Sequence, residues 1–380
     1  MNLLIFGLGG GYRKIVEQSI KSDLHNWSYT DSFSNLKQFN DHAFIPLEKI
    51  CFEYFDIILI VITDINICQE IKKQLIIQKV LESKIIIFAE IYKRIFAQKV
   101  DKVLINSIQP TGIVLGLSHA VCGINTDYLS GYVNLACRSQ DLFYNNAVLH
   151  YFRSYIKAEN VRNVVLEMYD YNYFNYDVSL ISHAVDCYYD KGGFNKESHN
   201  FNKNIHYNES FDAVKERYGF HPLDQATKEF VSSVFDIKKW VRKDYSGFDE
   251  IYTNTIKREE SLPARKFVSG ILRKRYEKTV IENKEIFYRF CREINKIFPN
   301  GRLWLILIPR FCTMEYALSP LLKEWKREFY DIIDQAENIH GFLDFKEHDI
   351  CENPYMYNDV NHFNHVGALA FSSLLKEYLD

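Results

Sequence analysis

Blocks of apolar residues recur along the chain at spacings that predict parallel strands joined by helices. Leu3–Phe6 is a short apolar run of strand length, and Ile15, Val16, Ser19 and Ile20 then fall on one helical face. A second strand is predicted over Trp27–Thr30, a buried parallel strand over Asp56–Val61, a helix over Asn66–Gln78 and a further strand over Lys84–Phe88. After Pro110 the pattern restarts. Strands are expected at Gly112–Gly116, Tyr132–Ala136, Asn163–Glu167, Leu303–Ile308 and Gly341–Phe345, with a last amphipathic helix from Ala368 to about Leu379. Alternating strands and helices mean an α/β fold of two doubly wound parallel sheets. The domains expected are a Rossmann-like one over 1–105 and a second α/β one over 106–380. Residues from about 190 to 300 exceed what a strand-to-strand crossover needs and read as a helical insertion. They hold a polar stretch, Lys191–Ser210, and a charged helical stretch, Phe230–Phe298. No repeat of solenoid period is found.

Composition narrows the function classes. A chain of 380 residues, 47% hydrophobic and 15% aromatic, has apolar surface enough for two or three cores, which excludes a disordered, collagen-like or low-complexity protein. With 46 basic and 49 acidic residues there is no clustered basic excess of the kind nucleic acid selects. The start, Met1–Gly7, has no basic stretch leading into a long apolar one. The longest apolar candidate, Ile57–Ile62, is of strand length. A cytoplasmic protein with no transmembrane segment is therefore expected. The eight cysteines (51, 68, 122, 137, 187, 291, 312, 351) form no C-x-x-C pair and are read as free thiols, mostly core. The basic run Arg265-Lys266…Arg273-Lys274-Arg275 carries Phe267, Val268, Ile271 and Leu272 between its charges. It reads as a solvated helix face, with a peripheral membrane or anionic-glycan contact as the sharper alternative.

Glycine is scarce, and its distribution is informative. Gly and Pro together number 16 and 8, and no glycine falls between Gly11 and Gly112. The first cluster, Gly7-Leu8-Gly9-Gly10-Gly11, joins a strand to a helix, where backbone can approach a phosphate at the helix start. Asp31 lies 24 residues after Gly7, near where a ribose-binding acid would stand. G-x-G-x-x-G would need glycine at position 12, and Tyr12 is there. A nucleotide or nucleotide-sugar site at Gly7, Gly9, Gly10, Gly11 and Asp31 and a simple close-packing turn therefore both stand. Residues 1 to about 95 resemble the small Rossmann-like domains at the N-termini of bacterial surface-glycan biosynthesis proteins. The likeness is carried by the glycine turn, Asp31, Ile45-Pro46-Leu47-Glu48-Lys49-Ile50 and Phe55-Asp56-Ile57-Ile58-Leu59-Ile60. It implies nucleotide or nucleotide-sugar binding or a scaffold role, and does not imply a dehydrogenase.

The second cluster carries the chemistry. Ser118 follows a strand directly in a glycine-flanked turn that opens a helix, a position that exposes a nucleophile beside free backbone N–H groups. Alone it would read as a helix N-cap. Near the other end stands Asn358-Asp359-Val360-Asn361-His362-Phe363-Asn364-His365-Val366-Gly367. There His362 could take the serine proton and Asp359 orient the imidazole. The order Ser…Asp-x-x-His before the last helix resembles the SGNH (GDSL-like) hydrolase superfamily, most closely its DltD-like and AlgX-like branches, which modify surface polymers. The resemblance implies a flavodoxin-like three-layer α/β/α domain and acyl chemistry on Ser118.

The intermediate blocks depart from the commonest pattern of that superfamily. Cys137-Arg138-Ser139 stands where many relatives have an oxyanion-hole glycine, and Tyr169 where the oxyanion Asn is expected. The backbone of Arg138 or Ser139, and the side chains of Asn134 or Asn172, are the alternatives. Arg310, at a strand's carboxyl end, could hold an anionic substrate group or be an ordinary surface residue. His119 could line the site, and His365 lies three after His362, but no further clustered ligands accompany them and no metal site is expected. The expected activity is serine-dependent carbohydrate O-acyl transfer (acetyl foremost) or ester hydrolysis in capsule, lipopolysaccharide or related synthesis. Ester chemistry needs no cofactor; acyl-CoA is the donor considered. Partners would be a glycan or its precursor and glycan-synthesis enzymes. The competing class is a degenerate glycan- or nucleotide-sugar-binding module, or a transferase of a non-acyl group.

Overall fold

A computed structural model describes residues 1–32, 36–96, 99–178, 223–249, 253–256 and 274–380. The chain divides into two compact units, one of Met1–Ala97 with Phe211–Asp244, the other of Gln98–Ser210 with Tyr245–Asp380.

The first unit runs β1 (Asn2–Phe6), α1 (Gly11–Ser19), β2 (Asn26–Thr30), a hairpin of β3 (Gln38–Phe39) and β4 (His42–Ala43), β5 (Ile57–Ile60), α2 (Ile65–Ile77), β6 (Ile85–Ile87) and α3 (Phe88–Ile95). The four-stranded sheet is parallel in the order β2-β1-β5-β6. Asp64 starts α2 by accepting hydrogen bonds from Asn66 and Ile67 N–H. The sequence reading missed the β3–β4 hairpin and carried the last strand one residue too far, since Phe88 already opens α3.

Part of the stretch read as an insertion of the second domain packs here instead. Within 223–244, Trp240 is buried against Phe88 and Phe235 and donates its indole N–H to Ser19 Oγ at 2.8 Å. Rings of this size gain most where apolar cover is available, and α1 and α3 supply it. The charged stretch Phe230–Phe298 is correspondingly not one helix. Lys191–Ser210 and most of the basic run near 265–275 lie outside the described residues.

The second unit runs α4 (Lys99–Ile105), β7 (Gly112–Leu115), α5 (Ser118–Gly123), β8 (Tyr132–Asn134), α6 (Leu142–Arg153) and β9 (Asn163–Glu167). With the first unit's α7 (Gln225–Val234) intervening, it continues with α8 (Glu277–Ile297), β10 (Arg302–Leu307), α9 (Cys312–Asp334), β11 (Ile339–Asp344) and α10 (His365–Leu379). The strands are parallel in the order β11-β10-β9-β7-β8. In chain order this is 2-1-3-4-5 read from the other edge, the flavodoxin winding, whose direction reverses between β7 and β9. Both strands are buried along their whole length, as a sheet covered on two faces requires. Phe363, Phe371, Leu375 and Leu379 join Ala120 and Val121 of α5 in one core, so the final helix braces the turn after β7. Both sheets bear out the doubly wound α/β expectation. Among the described residues no helix is long and apolar enough to cross a membrane, and the seven cysteines described are free thiols.

On this unit's surface Arg275 grips Glu328 with two hydrogen bonds (2.6 and 2.9 Å) and Lys284 adds a third at 2.8 Å. The Arg275 hydrogen bonds lead in holding the Glu328 carboxyl down at about 2. A depressed folded-state value adds stability above the ordinary carboxylate range and loses it as pH falls toward the folded value. Glu328→Gln should therefore lower stability near neutral pH by about 1 kcal/mol, and the gap should close between about pH 4.5 and pH 2. Urea denaturation of both proteins across that range checks it.

Candidate active site

The winding reverses between β7 and β9, where ligand crevices form in open α/β sheets, and three sequence-distant segments meet beyond the carboxyl ends of those strands. Ser118 is the first residue of α5, directly after β7 and the Gly116–Leu117 turn. Asp359 and His362 sit in a tight loop closed by the Tyr357–Phe363 bridge and by Asn358 N–H donating to the His362 carbonyl at 2.9 Å. Phe311 N–H donates to the Val360 carbonyl at 3.1 Å, tying that loop to the segment after β10.

Within the loop Asp359 Oδ1 accepts the backbone N–H of Asn361 (2.8 Å) and of His362 (3.0 Å). The His362 ring places Nδ1 3.0 and 3.1 Å from the two Asp359 oxygens, and Nε2 2.9 Å from Ser118 Oγ. A carboxylate only accepts, so Nδ1 carries the hydrogen and Nε2 is left to accept the Ser118 hydroxyl proton. Burial alone would raise the Asp359 carboxyl. The hydrogen bond and charge of His362, with the loop N–H groups, outweigh it and hold the group below its ordinary value. Asp359 is thus ionised at neutral pH.

Beneath these groups lies a layer of which sequence reasoning raised His119 but not Glu167. Glu167, the last residue of β9, is fully buried; its Oε2 accepts Leu117 N–H at 2.8 Å and its Oε1 accepts Tyr169 N–H at 2.7 Å. His119 is buried, stacks on His362 with centroids 5.3 Å apart, and has Nδ1 3.7 Å from Glu167 Oε1. Burial first, then the positive charges of His362, Arg310 and Lys346, push the His119 imidazole well below its ordinary value. The sequence signal for Glu167 was a carboxylate ending the otherwise apolar run Val164-Val165-Leu166.

The other candidates are distributed differently. The Asn134 amide donates to the carbonyls of Ala120 (2.9 Å) and Ile124 (3.0 Å) and its oxygen accepts Ala136 N–H. Those bonds secure the C-terminal end of α5, a structural use that exhausts the amide. Arg310 is not an ordinary surface residue. It is 3% exposed and ion-paired with Asp170, with Lys346 and Glu315 completing the cluster. Asn172 is buried at the start of a short turn, and its side-chain oxygen has no hydrogen-bond partner. Arg138 is exposed, and Ser139 has φ +61° in the turn after β8, which Cys137 N–H ties to the Gly116 carbonyl at 3.3 Å. His365 opens α10 behind the Asn364 cap. No group of three or more metal-ligating side chains occurs among the described residues. In the first unit, Asp31 Oδ2 accepts Leu8 N–H at 3.1 Å, and Arg13 Nε donates to the carbonyls of Leu8 and Gly9, so that glycine turn is braced from within.

No family model matches the chain, and no curated protein sequence matches it. Among solved structures, one provisionally identified as a platelet activating factor from Streptococcus pneumonia has 10% identity and a TM-score of 0.36. The match covers 76% of this chain and 94% of that one. The lipase Lip_vut3 from a goat rumen metagenome has 9% identity and a TM-score of 0.31, covering 71% of this chain and 97% of that one. Likenesses this remote carry no argument about the site.

Gly116 is the point where the turn is tightest. Its φ is +146°, and a Cβ there would lie 2.7 Å from both Cβ and Oε2 of Glu167 and 3.0 Å from Ala120 Cβ. Gly116→Ala should destabilise the protein by about 1–3 kcal/mol through backbone strain and overlap, read as a lower urea midpoint.

Proposed function

We propose that the second unit is a serine-dependent carbohydrate O-acyltransferase or esterase. The observation that carries the reading is the continuous hydrogen-bonded line from Ser118 Oγ through His362 to Asp359. Ser118 Oγ attacks an ester or thioester carbonyl while its proton passes to His362 Nε2. The imidazolium so formed is balanced by Asp359. Charge develops on the carbonyl oxygen, and backbone N–H groups of the turns at 118 and at 138–139 are the donors assigned to it. On collapse, His362 returns its proton to the leaving group, and the acyl group remains on Ser118. Water or a sugar hydroxyl then gives up its proton to the same Nε2 and takes the acyl group, and His362 returns that proton to Ser118 Oγ as the acyl–oxygen bond breaks. Burial holds no positive charge on His119, so it supplies apolar backing to the base and takes no proton.

The likeness to surface-polymer-modifying SGNH proteins and to glycan-associated N-terminal domains supports a glycan or glycan-precursor acceptor. Acyl-CoA is the donor that fits a chain with no membrane-spanning helix among its described residues. Acetyl is the proposed group, and bacterial surface polysaccharide synthesis the proposed setting.

A fluorophosphonate probe should label the wild type, and Ser118→Ala should abolish both labelling and cleavage of p-nitrophenyl acetate. Asp359→Asn should keep Ser118 and His362 in contact yet lower kcat by about 10²–10⁴-fold, because the wrong imidazole tautomer is stabilised. A wild type that neither labels nor cleaves the ester above the Ser118→Ala background would sink the acyl-enzyme reading.

A further inference from the structure

Two strand ends flank the crevice, and one side chain spans them. β7 and β9 are hydrogen-bonded neighbours, with Leu115 opposite Leu166. Beyond that pair the chains part, β7 toward Ser118 and β9 toward Tyr169. Backbone N–H groups released at such a fork are buried and lose several interactions with water, so each needs a protein acceptor. Glu167 supplies both, one oxygen to Leu117 N–H at 2.8 Å and the other to Tyr169 N–H at 2.7 Å. Leu117 is the residue before Ser118. Tyr169 sits at φ +57°, an uncommon backbone state for a bulky residue, and its ring lies 5.3 Å from His119, which stacks on His362.

The turn is shaped around this carboxylate. The space where Gly116 would carry a Cβ is filled by Glu167 itself, at 2.7 Å. A fully buried carboxyl is a costly way to fill a core position, and burial raises its pKa despite the two N–H hydrogen bonds and the nearby Lys346 and Arg310 charges. An apolar side chain of similar volume would serve packing as well or better. What an apolar side chain would lack is the paired acceptor geometry.

We propose that Glu167 is a positioning residue: by holding Leu117 and Tyr169 N–H together, it sets Ser118 Oγ in line with His362 Nε2 and keeps His119 stacked beneath that ring. The inference rests on the acyl-enzyme reading for its kinetic consequence, but its structural consequence can be read without any turnover.

Glu167→Gln keeps the shape and replaces one acceptor oxygen with an NH₂ group facing an N–H donor, releasing one turn. Glu167→Met releases both. Fluorophosphonate titration gives the number of reactive serines, so p-nitrophenyl acetate kcat can be stated per active site. The expected result is a kcat per titrated site lowered about 10- to 100-fold, the cost of a small misplacement, with KM within about two-fold of wild type. Independently, the low-field proton resonance of His362 Nδ1–H should shift or disappear in both variants, and amide exchange at Leu117 and Tyr169 should quicken. A merely structural role would lower the fraction of active sites and the urea midpoint but leave kcat per site and the His362 resonance unmoved. That outcome, or loss of folding in both variants, overturns the proposal. If the wild type neither labels nor turns over, the acyl-enzyme reading falls, and the His362 resonance and amide exchange still decide whether Glu167 positions the pair.

Discussion

The carboxyl edge of the second sheet depends on how backbone N–H groups find acceptors where β7 and β9 stop pairing. Inside a sheet covered on both faces there is no water to take them. Side chains do so instead, and each brings a constraint. Glu167 takes Leu117 and Tyr169, Asn145 Oδ1 takes Gly116 N–H at 2.8 Å, and Asn134 takes Ala136 N–H while its amide secures α5. The turn carrying Ser118 is therefore held by fixed polar contacts on several sides. The opposite wall follows the same rule, since Asp359 satisfies the loop N–H groups of Asn361 and His362 before it reaches the imidazole. Ser118 and His362, 244 residues apart, thus meet at hydrogen-bond distance because each is mounted on a locally satisfied turn.

The legibility of these features in the sequence follows the range of the interactions behind them. Strands could be read because a fully buried parallel strand is a continuous apolar run, and all five of the second sheet's strands begin within about two residues of where that pattern puts them. Ser118, Asp359 and His362 could be singled out because their spacing is local, serine after a strand and Asp-x-x-His before a last helix. The fates of Asn134 and Arg310 could not. Whether an amide faces a crevice or caps a helix end depends on which carbonyls lie within reach, here those of Ala120 and Ile124. Arg310 is neutralised by Asp170, 140 positions away, a pairing that no local pattern announces. The placement of 223–244 was hidden for the same reason. Its polar helix resembles any insertion, and only the cover that α1 and α3 give to Phe235 and Trp240 assigns it to the first unit.

Two histidines stack at the crevice, and the surroundings divide their parts. His362 faces an ionised carboxylate on one side and a hydroxyl on the other, so protonation of its free nitrogen creates an ion pair with Asp359. His119 faces buried cations and the ring of His362, and the nearest carboxylate oxygen is 3.7 Å from its Nδ1, beyond hydrogen-bond reach. A second positive charge so close to His362 would oppose an imidazolium there, and deep burial removes that prospect. The neutral ring instead fills the space under His362 and limits how far it can tilt. The buried cluster of Arg310, Lys346, Asp170 and Glu315 then acts from below, its positive members helping to keep His119 uncharged. With that charge beneath it His119 stays neutral, while His362 keeps its hydrogen bonds to Asp359 and Ser118.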